Sequence, residues 1–383
     1  MEEKRLTFFE ASSIIAGYGV GGGVMAVPFL TSLSGFAPFF GVLAVAFFFS
    51  IVLHLMLAEI AIRDTTSDQL VELIAKYYYR GPGSNVIIWA LFVLLFASFL
   101  TSLAAYVSGS GEILNDLAGI PVWAGQVVFY ILAAGVVLFG LKSIGLSEKY
   151  AVIIILVIIG ILTVASLRLP FHAVWVGGGS SNTWLALFGM IMYSFLAPFA
   201  VPQVVRGLSW NQKLIPRSII TGIFINLCVV TLISLMATGV SEEVTRVAIS
   251  GWGKALGGWA HSFGGLFILV AMLTSYWAVS YALVVILKER LGIGDRFAWL
   301  LATLPTLVVA LTGLTDFMGF MRITAGVAGI VVILMVIPTL RGIRKHGEVK
   351  NPEWKLNIFG NTLFQVLLII VYILVGLGSL VSI

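Results

Sequence analysis

The chain has little of what soluble enzymes and secreted scaffolds are built from. One cysteine, Cys228, stands in 383 residues, so an intrachain disulfide is excluded and the redox compartment cannot be read from it. Charged residues make up only 10%, against about 25% in a soluble domain. No H-E-x-x-H occurs, and His54 and Glu59 have the wrong spacing for one. Gly292-Ile293-Gly294-Asp295 matches the G-x-G-D of intramembrane aspartyl proteases, but it falls in a basic loop and has no second buried aspartate. No carboxylate is central to an apolar stretch, which weighs against a proton relay through Asp or Glu. An enzyme therefore has little support.

What is present is apolar length. Hydrophobic residues are 60% of the chain, and the mean hydropathy is +1.09. A bilayer core about 30 Å thick takes about 20 apolar residues per helix. Eleven such stretches are predicted, near 8–34, 38–62, 85–111, 122–141, 148–167, 183–206, 214–238, 259–287, 296–313, 316–340 and 357–381. They describe an all-α polytopic membrane protein, a single transmembrane domain over 1–383. The first apolar run is too long for a signal peptide, and the tails are too short for a signalling domain. With the amino terminus in the cytoplasm, 18 of the 22 Lys and Arg fall inside and Arg168, Arg246 and Lys254 outside, with Arg322 in a span. That asymmetry fits the positive-inside rule and eleven crossings, and leaves the carboxyl terminus outside. It also accounts for a pI near 9.3 without nucleic acid as a partner.

Two stretches are interrupted in matching places. The first reads Gly17-Tyr18-Gly19-Val20-Gly21-Gly22-Gly23 and then Val24-Met25-Ala26-Val27-Pro28; the second reads Tyr193-Ser194-Phe195-Leu196-Ala197-Pro198 and then Phe199-Ala200-Val201-Pro202. Lipid offers a bare backbone no hydrogen bonds, so a break must line a cavity or a site. Paired breaks in two halves point to a secondary transporter's binding site. Five spans per half is an odd number, so the halves run inverted, over about 8–167 and 183–340, with 357–381 as an extra helix. The run also contains G-x-G-x-x-G, which here lacks the strand and βαβ unit of a dinucleotide site. Gly17-Tyr18-Gly19 lacks the pore helix of a potassium filter. Gly17 and Gly21 as a packing G-x-x-x-G leave Pro198 and Pro202 unexplained. N–H groups where the first stretch restarts, near Gly23 and Val24, suit a carboxylate. Carbonyls freed around Ser194 and Phe195 suit an ammonium. Together they suit a zwitterion.

Other features are predicted with less consequence. Residues 66–80 read as a short cytoplasmic helix on the membrane surface, with Thr66 and Gln69 as a capping box and Leu70, Leu73, Ile74 and Tyr77 on one face. Residues 241–258 read as an external lid of two short helices, started by Ser241, Glu242 and Glu243 and broken by Gly251, Gly253, Gly257 and Gly258. His54 reads as bonded to a neighbouring helix, and Glu59 as paired with a basic group. Arg322 either snorkels or forms an outer gate with Asp316 or Glu112.

Gly21-Gly22-Gly23-Val24-Met25-Ala26-Val27-Pro28 resembles the G-x-G-[IV]-[LF]-x-x-P stretch of the amino acid/auxin permease group, within the amino acid–polyamine–organocation superfamily. Tyr193-Ser194-Phe195 with Val201-Pro202 resembles the S-F…V-P segment of its bacterial aromatic and hydroxy amino-acid branch, and Ala105-Tyr106-Val107-Ser108-Gly109 is similar to that branch's A-Y-[IV]-x-G. Leu57-Ala58-Glu59 fits the wider superfamily. The resemblance implies a LeuT-type 5+5 inverted repeat plus one helix, with spans 1 and 6 broken. It implies substrate contacts at Gly19, Gly21, Gly22, Gly23, Tyr106, Ser194, Phe195 and Phe199. Pro198 departs from the branch, which commonly has His there, so the amino acid stays open. Ala271-Met272-Leu273-Thr274-Ser275 resembles the A-x-L-T-S segment of sodium-coupled members; the implied sodium site is Ala16, Gly19, Ala271, Thr274 and Ser275. The expected function is a symporter of amino acids, neutral ones first, in the plasma membrane, driven by Na+ or H+ and needing no cofactor. The alternative is a sensor that binds an amino acid without moving it. Oligomeric state is not legible.

Overall fold

The computed structural model describes residues 5–64, 68–78, 81, 83–241, 244, 248–314 and 317–380. Among them run fifteen α-helices and no strand: α1 (Phe8–Gly19), α2 (Gly22–Ser34), α3 (Phe36–Arg63), α4 (Leu70–Tyr77), α5 (Ser84–Ala118), α6 (Val122–Leu138), α7 (Leu141–Ser166), α8 (Ser181–Ser194), α9 (Ala200–Gly207), α10 (Leu214–Val240), α11 (Ala248–Leu256), α12 (Gly258–Leu291), α13 (Asp295–Leu311), α14 (Phe317–His346) and α15 (Thr362–Leu380). Each of the eleven predicted stretches carries α-helix among the described residues. Helices α3, α5, α7, α10 and α12 are each long and apolar enough to cross a bilayer, and α1 with α2 forms a further pair bent by 54°.

Local chemistry sets the ends. Thr7 and Glu10 form a reciprocal capping box at the start of α1, which satisfies two orphan N–H groups. The predicted stop after Ser194 is real: α8 ends there, and residues 195–199 are not helical before α9 resumes. Pro202 stands in the first turn of α9, where its missing N–H costs nothing. Pro28, in contrast, sits inside an unbroken α2.

Helix α1 packs between α10, α7 and α12, while α2 packs against α8 and α10. Helix α5 packs against α14, α6, α12 and α13. The two broken pairs therefore share one side of the bundle with α3 and α10. Helix α15 lies over α8 and α14.

Ion pairs fasten the helix ends. Glu59 is buried and takes Arg63 at 2.8 Å, Arg344 at 2.7 Å and the Leu356 N–H at 3.0 Å. This is the basic partnering expected of it, doubled. Lys142 holds Glu10 at 2.7 Å. Arg206 at the end of α9 meets Glu289 of α12 at 3.2 Å, and Glu289 also accepts the Gln69 N–H at 2.8 Å.

One expectation is corrected. Among the described residues after α10 runs α11, and Gly251 and Gly253 lie inside it rather than breaking it. Gly253 is a contact residue: a Cβ there would stand 2.8 Å from His261 Cα, so its bareness lets α11 press on α12. Trp252 is fully buried and donates to Ser166 Oγ at 2.7 Å. Helix α4 does bury Leu70, Leu73, Ile74 and Tyr77, against α14, α5 and α12. Thr66, Glu242, Glu243 and Asp316 lie outside the described residues, as does the side chain of Arg322, and with them the proposed caps and gate.

Candidate functional site

The first break occupies Val20 and Gly21. Helix α1 ends with the Val20 N–H on the Ala16 carbonyl at 3.0 Å, and α2 opens at Gly22 with no side-chain cap. Its first N–H groups therefore have no cap from a side chain, at the positive end of the α2 dipole. Three other helices crowd this point. A Cβ on Gly21 would stand 2.6 Å from Ser275 Oγ of α12 and 2.7 Å from the Tyr106 hydroxyl of α5. One on Gly23 would stand 2.6 Å from Ser194 Oγ of α8. Only glycine admits such approach, so residues far apart in the chain converge on the glycine run.

The second break is held differently. His54 of α3, fully buried, accepts the Ala197 N–H at Nε2 over 2.9 Å. Its Nδ1 lies 2.6 Å from the Ser50 carbonyl, so the proton sits on Nδ1 and the acceptor faces the break. Gln203 donates to the Phe199 carbonyl at 3.2 Å and to the Ala278 carbonyl at 3.0 Å. The Ala197 N–H is thereby met from α3 and the Phe199 carbonyl from α9 itself, groups that lipid would leave bare.

Between the breaks lies a cavity of about 40 Å³, room for a few waters. Gly19, Gly21, Gly23, Tyr106 and Phe199 line it, all named from the sequence. Phe199 rests on Phe99 with ring centroids 4.9 Å apart. Ser194 does not line it but packs its Oγ on Gly23, and Gly22 opens α2 alongside. Phe195 is placed elsewhere: it is buried, 6.3 Å from Phe47 of α3, and does not line the cavity. Sequence reasoning missed Tyr18, Tyr193, Ser98, Ser102 and Thr324, which line it as well. Ser98, Ser102 and Tyr106 recur at four-residue spacing on α5, a polar stripe that the sequence does display.

Of the predicted sodium ligands, Thr274 and Ser275 of α12 approach the end of α1 at Gly17. Ser275 Oγ donates to the Gly17 carbonyl at 2.9 Å, and Thr274 Oγ1 donates to the Ala271 carbonyl at 2.8 Å. Their protons are committed to carbonyls, which leaves hydroxyl lone pairs to face outward. Gly19 stands against Ser194, whose carbonyl would be 2.6 Å from a Cβ there. The Ala16 carbonyl is occupied by the Val20 N–H.

The expectation that no carboxylate is central to an apolar stretch passed over one that is buried: Glu148, at the edge of the stretch 148–167, is fully buried on α7. Helix α7 begins at Leu141, two turns earlier than the apolar stretch. Leu141, Ile144, Gly145, Glu148 and Val152 share the buried face, a helical spacing that was legible in the residues.

Residues 4–379 match the tryptophan/tyrosine permease family. The chain belongs to that family. It is also similar to a tyrosine-specific transport system of Haemophilus influenzae, 24% identical over 237 residues, which covers 60% of this chain and 57% of that protein's length.

Proposed function

We propose that this permease is a secondary active symporter of an aromatic amino acid, driven by a sodium or proton gradient across the plasma membrane. The reading has eleven crossings, a LeuT-type pair of inverted repeats over about 8–167 and 183–340, and the amino terminus in the cytoplasm. Substrate binds between the two breaks, its carboxylate on the uncapped N–H groups of α2 and its ammonium toward the carbonyls near Ser194. Tyr18, Tyr106, Tyr193 and Phe199 give a wall that suits a ring. The cavity is too small for such a ligand as it stands, so the walls must part to admit it. Helices α1, α2, α3, α8, α9 and α10 moving against the others would open it to one side at a time.

The observation that carries this reading is the convergence of Tyr106, Ser194 and Ser275 on Gly21 and Gly23, in a chain matched almost end to end by a permease family. The test is counterflow in proteoliposomes loaded with unlabelled amino acid, with labelled tyrosine and tryptophan outside. Exchange of either supports the reading. Binding of the amino acids without exchange would make the protein a sensor, and conductance without saturation a channel.

A further inference from the structure

Glu148 has no partner. Neither carboxyl oxygen has a hydrogen bond, and the side chain is at zero exposure. An isolated ionised carboxylate in such a place costs many kcal/mol. Its surroundings make this worse. Its Cδ stands 2.7 Å from where a Gly17 Cβ would be, and Thr274 Cβ is 3.0 Å from the same point. Gly17 is in the last turn of α1, where the carbonyls and the negative end of the helix dipole gather. Among the described residues, no charged side chain of the helices packed on α7 (α1, α12, α10, α6 and α11) forms a hydrogen bond with it. Lys142, earlier on α7, is spent on Glu10 at 2.7 Å. A second unpartnered polar group lies on the same helix end. Asn226 of α10 is fully buried, both its amide atoms lack a partner, and it lies against Gly19.

A negative group set against a negative helix end, with nothing to neutralise it, is a site short of one positive charge. We propose that Glu148 is the charged anchor of the coupling-cation site, where one monovalent cation neutralises it at the carbonyl end of α1 beside Thr274. This rests on the symport reading above. It places the ion beside the break that holds the substrate, so that loading one stiffens the wall of the other. Sodium and a proton would both neutralise the carboxylate, and the driving gradient tells them apart.

The experiment compares wild type, Glu148→Gln and Glu148→Asp in proteoliposomes, each checked for fold by its thermal unfolding in detergent. The label is tyrosine or tryptophan, whichever the wild type exchanges. One arm imposes a tenfold inward sodium gradient at equal pH; the other imposes a tenfold inward proton gradient without sodium. Wild type concentrates the label up to about tenfold in one arm, since a tenfold gradient can drive no more at one ion per substrate. Glutamine mimics the neutralised side chain, so Glu148→Gln keeps counterflow while its accumulation falls to none in both arms. Glu148→Asp restores part of the accumulation. Accumulation by Glu148→Gln equal to wild type overturns the proposal. So does loss of counterflow and accumulation together in a folded Glu148→Gln, which would mark a structural residue. Failure of wild type to exchange any amino acid would sink the transport reading instead, and is distinguishable because it does not depend on the variant.

Discussion

The two breaks solve one problem in opposite ways. Between α1 and α2 only Val20 and Gly21 leave the helix, and the gap is filled by side chains of other helices pressing on bare glycines. Between α8 and α9 five residues leave it, and His54 and Gln203 reach in to satisfy their backbone. The first break exists through missing side chains, the second through borrowed ones. A glycine break leaves its N–H groups to be met by whatever enters the cavity. A braced break has its Ala197 N–H and Phe199 carbonyl met already, and serves as framework. The first should therefore govern binding, and the second should govern the stability of the bound shape.

The strongest way to break that contrast is at Gly23. Gly23→Leu would drive a side chain into Ser194, whose Oγ and Cα stand 2.6 and 3.1 Å from the first added carbon. Displacing a binding group by about an ångström costs on the order of 100-fold. We expect uptake to fall by at least about that factor, with the folded protein still recovered from detergent. Gly23→Ala should give a smaller loss in the same direction. Initial rates of labelled uptake would decide it, and normal uptake by Gly23→Leu would remove this break from the site.

His54→Ala probes the other break. It leaves the Ala197 N–H buried with no acceptor, at a cost of about 1–3 kcal/mol. The expected result is a lower unfolding temperature in detergent. His54→Gln, which offers an oxygen at similar reach, should recover part of it. If both variants unfold with wild type, the brace contributes nothing and the contrast between the breaks fails.

Much of this was readable beforehand, and the exceptions share a cause. Apolar length located the helices because a long apolar run is a property of composition. The glycine run announced the first break, since no other residue lets Tyr106, Ser194 and Ser275 come so close. His54 was legible as an interhelical group. Glu148 was passed over although its helical spacing with Leu141, Ile144 and Val152 is there to read, because a hydropathy window ends where charge begins: Lys142 and Lys149 flank it and made the first turns of α7 look like a loop. Gly251 and Gly253 misled for a related reason, since bareness that breaks a helix in isolation serves close packing when a partner such as α12 is present. Phe195 was assigned to the cavity by its neighbours in the motif, whereas the turn after Ser194 sends its ring toward Phe47.

Phe199 sharpens the contrast from the cavity side, with a smaller effect. Its ring both lines the cavity and rests on Phe99. Phe199→Leu removes an aromatic contact of about 0.5–1.5 kcal/mol and widens the wall. The ratio of tryptophan to tyrosine uptake should rise by about tenfold or less, measured as competition between the two labels. A fall in that ratio would show that the ring grips the larger substrate rather than crowding it.

Gln203 should give the smallest effect, and it separates framework from binding most cleanly. Its amide donates to Phe199 and Ala278, so it ties the second break to α12 without touching the cavity. Gln203→Met keeps the volume and removes both donors, freeing two carbonyls of a kind whose hydrogen bonds are worth about 0.5–1.5 kcal/mol each. If the braced break is framework, the unfolding temperature drops while substrate affinity, read by thermal shift against ligand concentration, stays within about threefold of wild type. A larger loss of affinity than of stability would mean that the carbonyl of Phe199 is itself a substrate contact. Phe199 would then join the carbonyls near Ser194 in holding the ligand instead of serving as support.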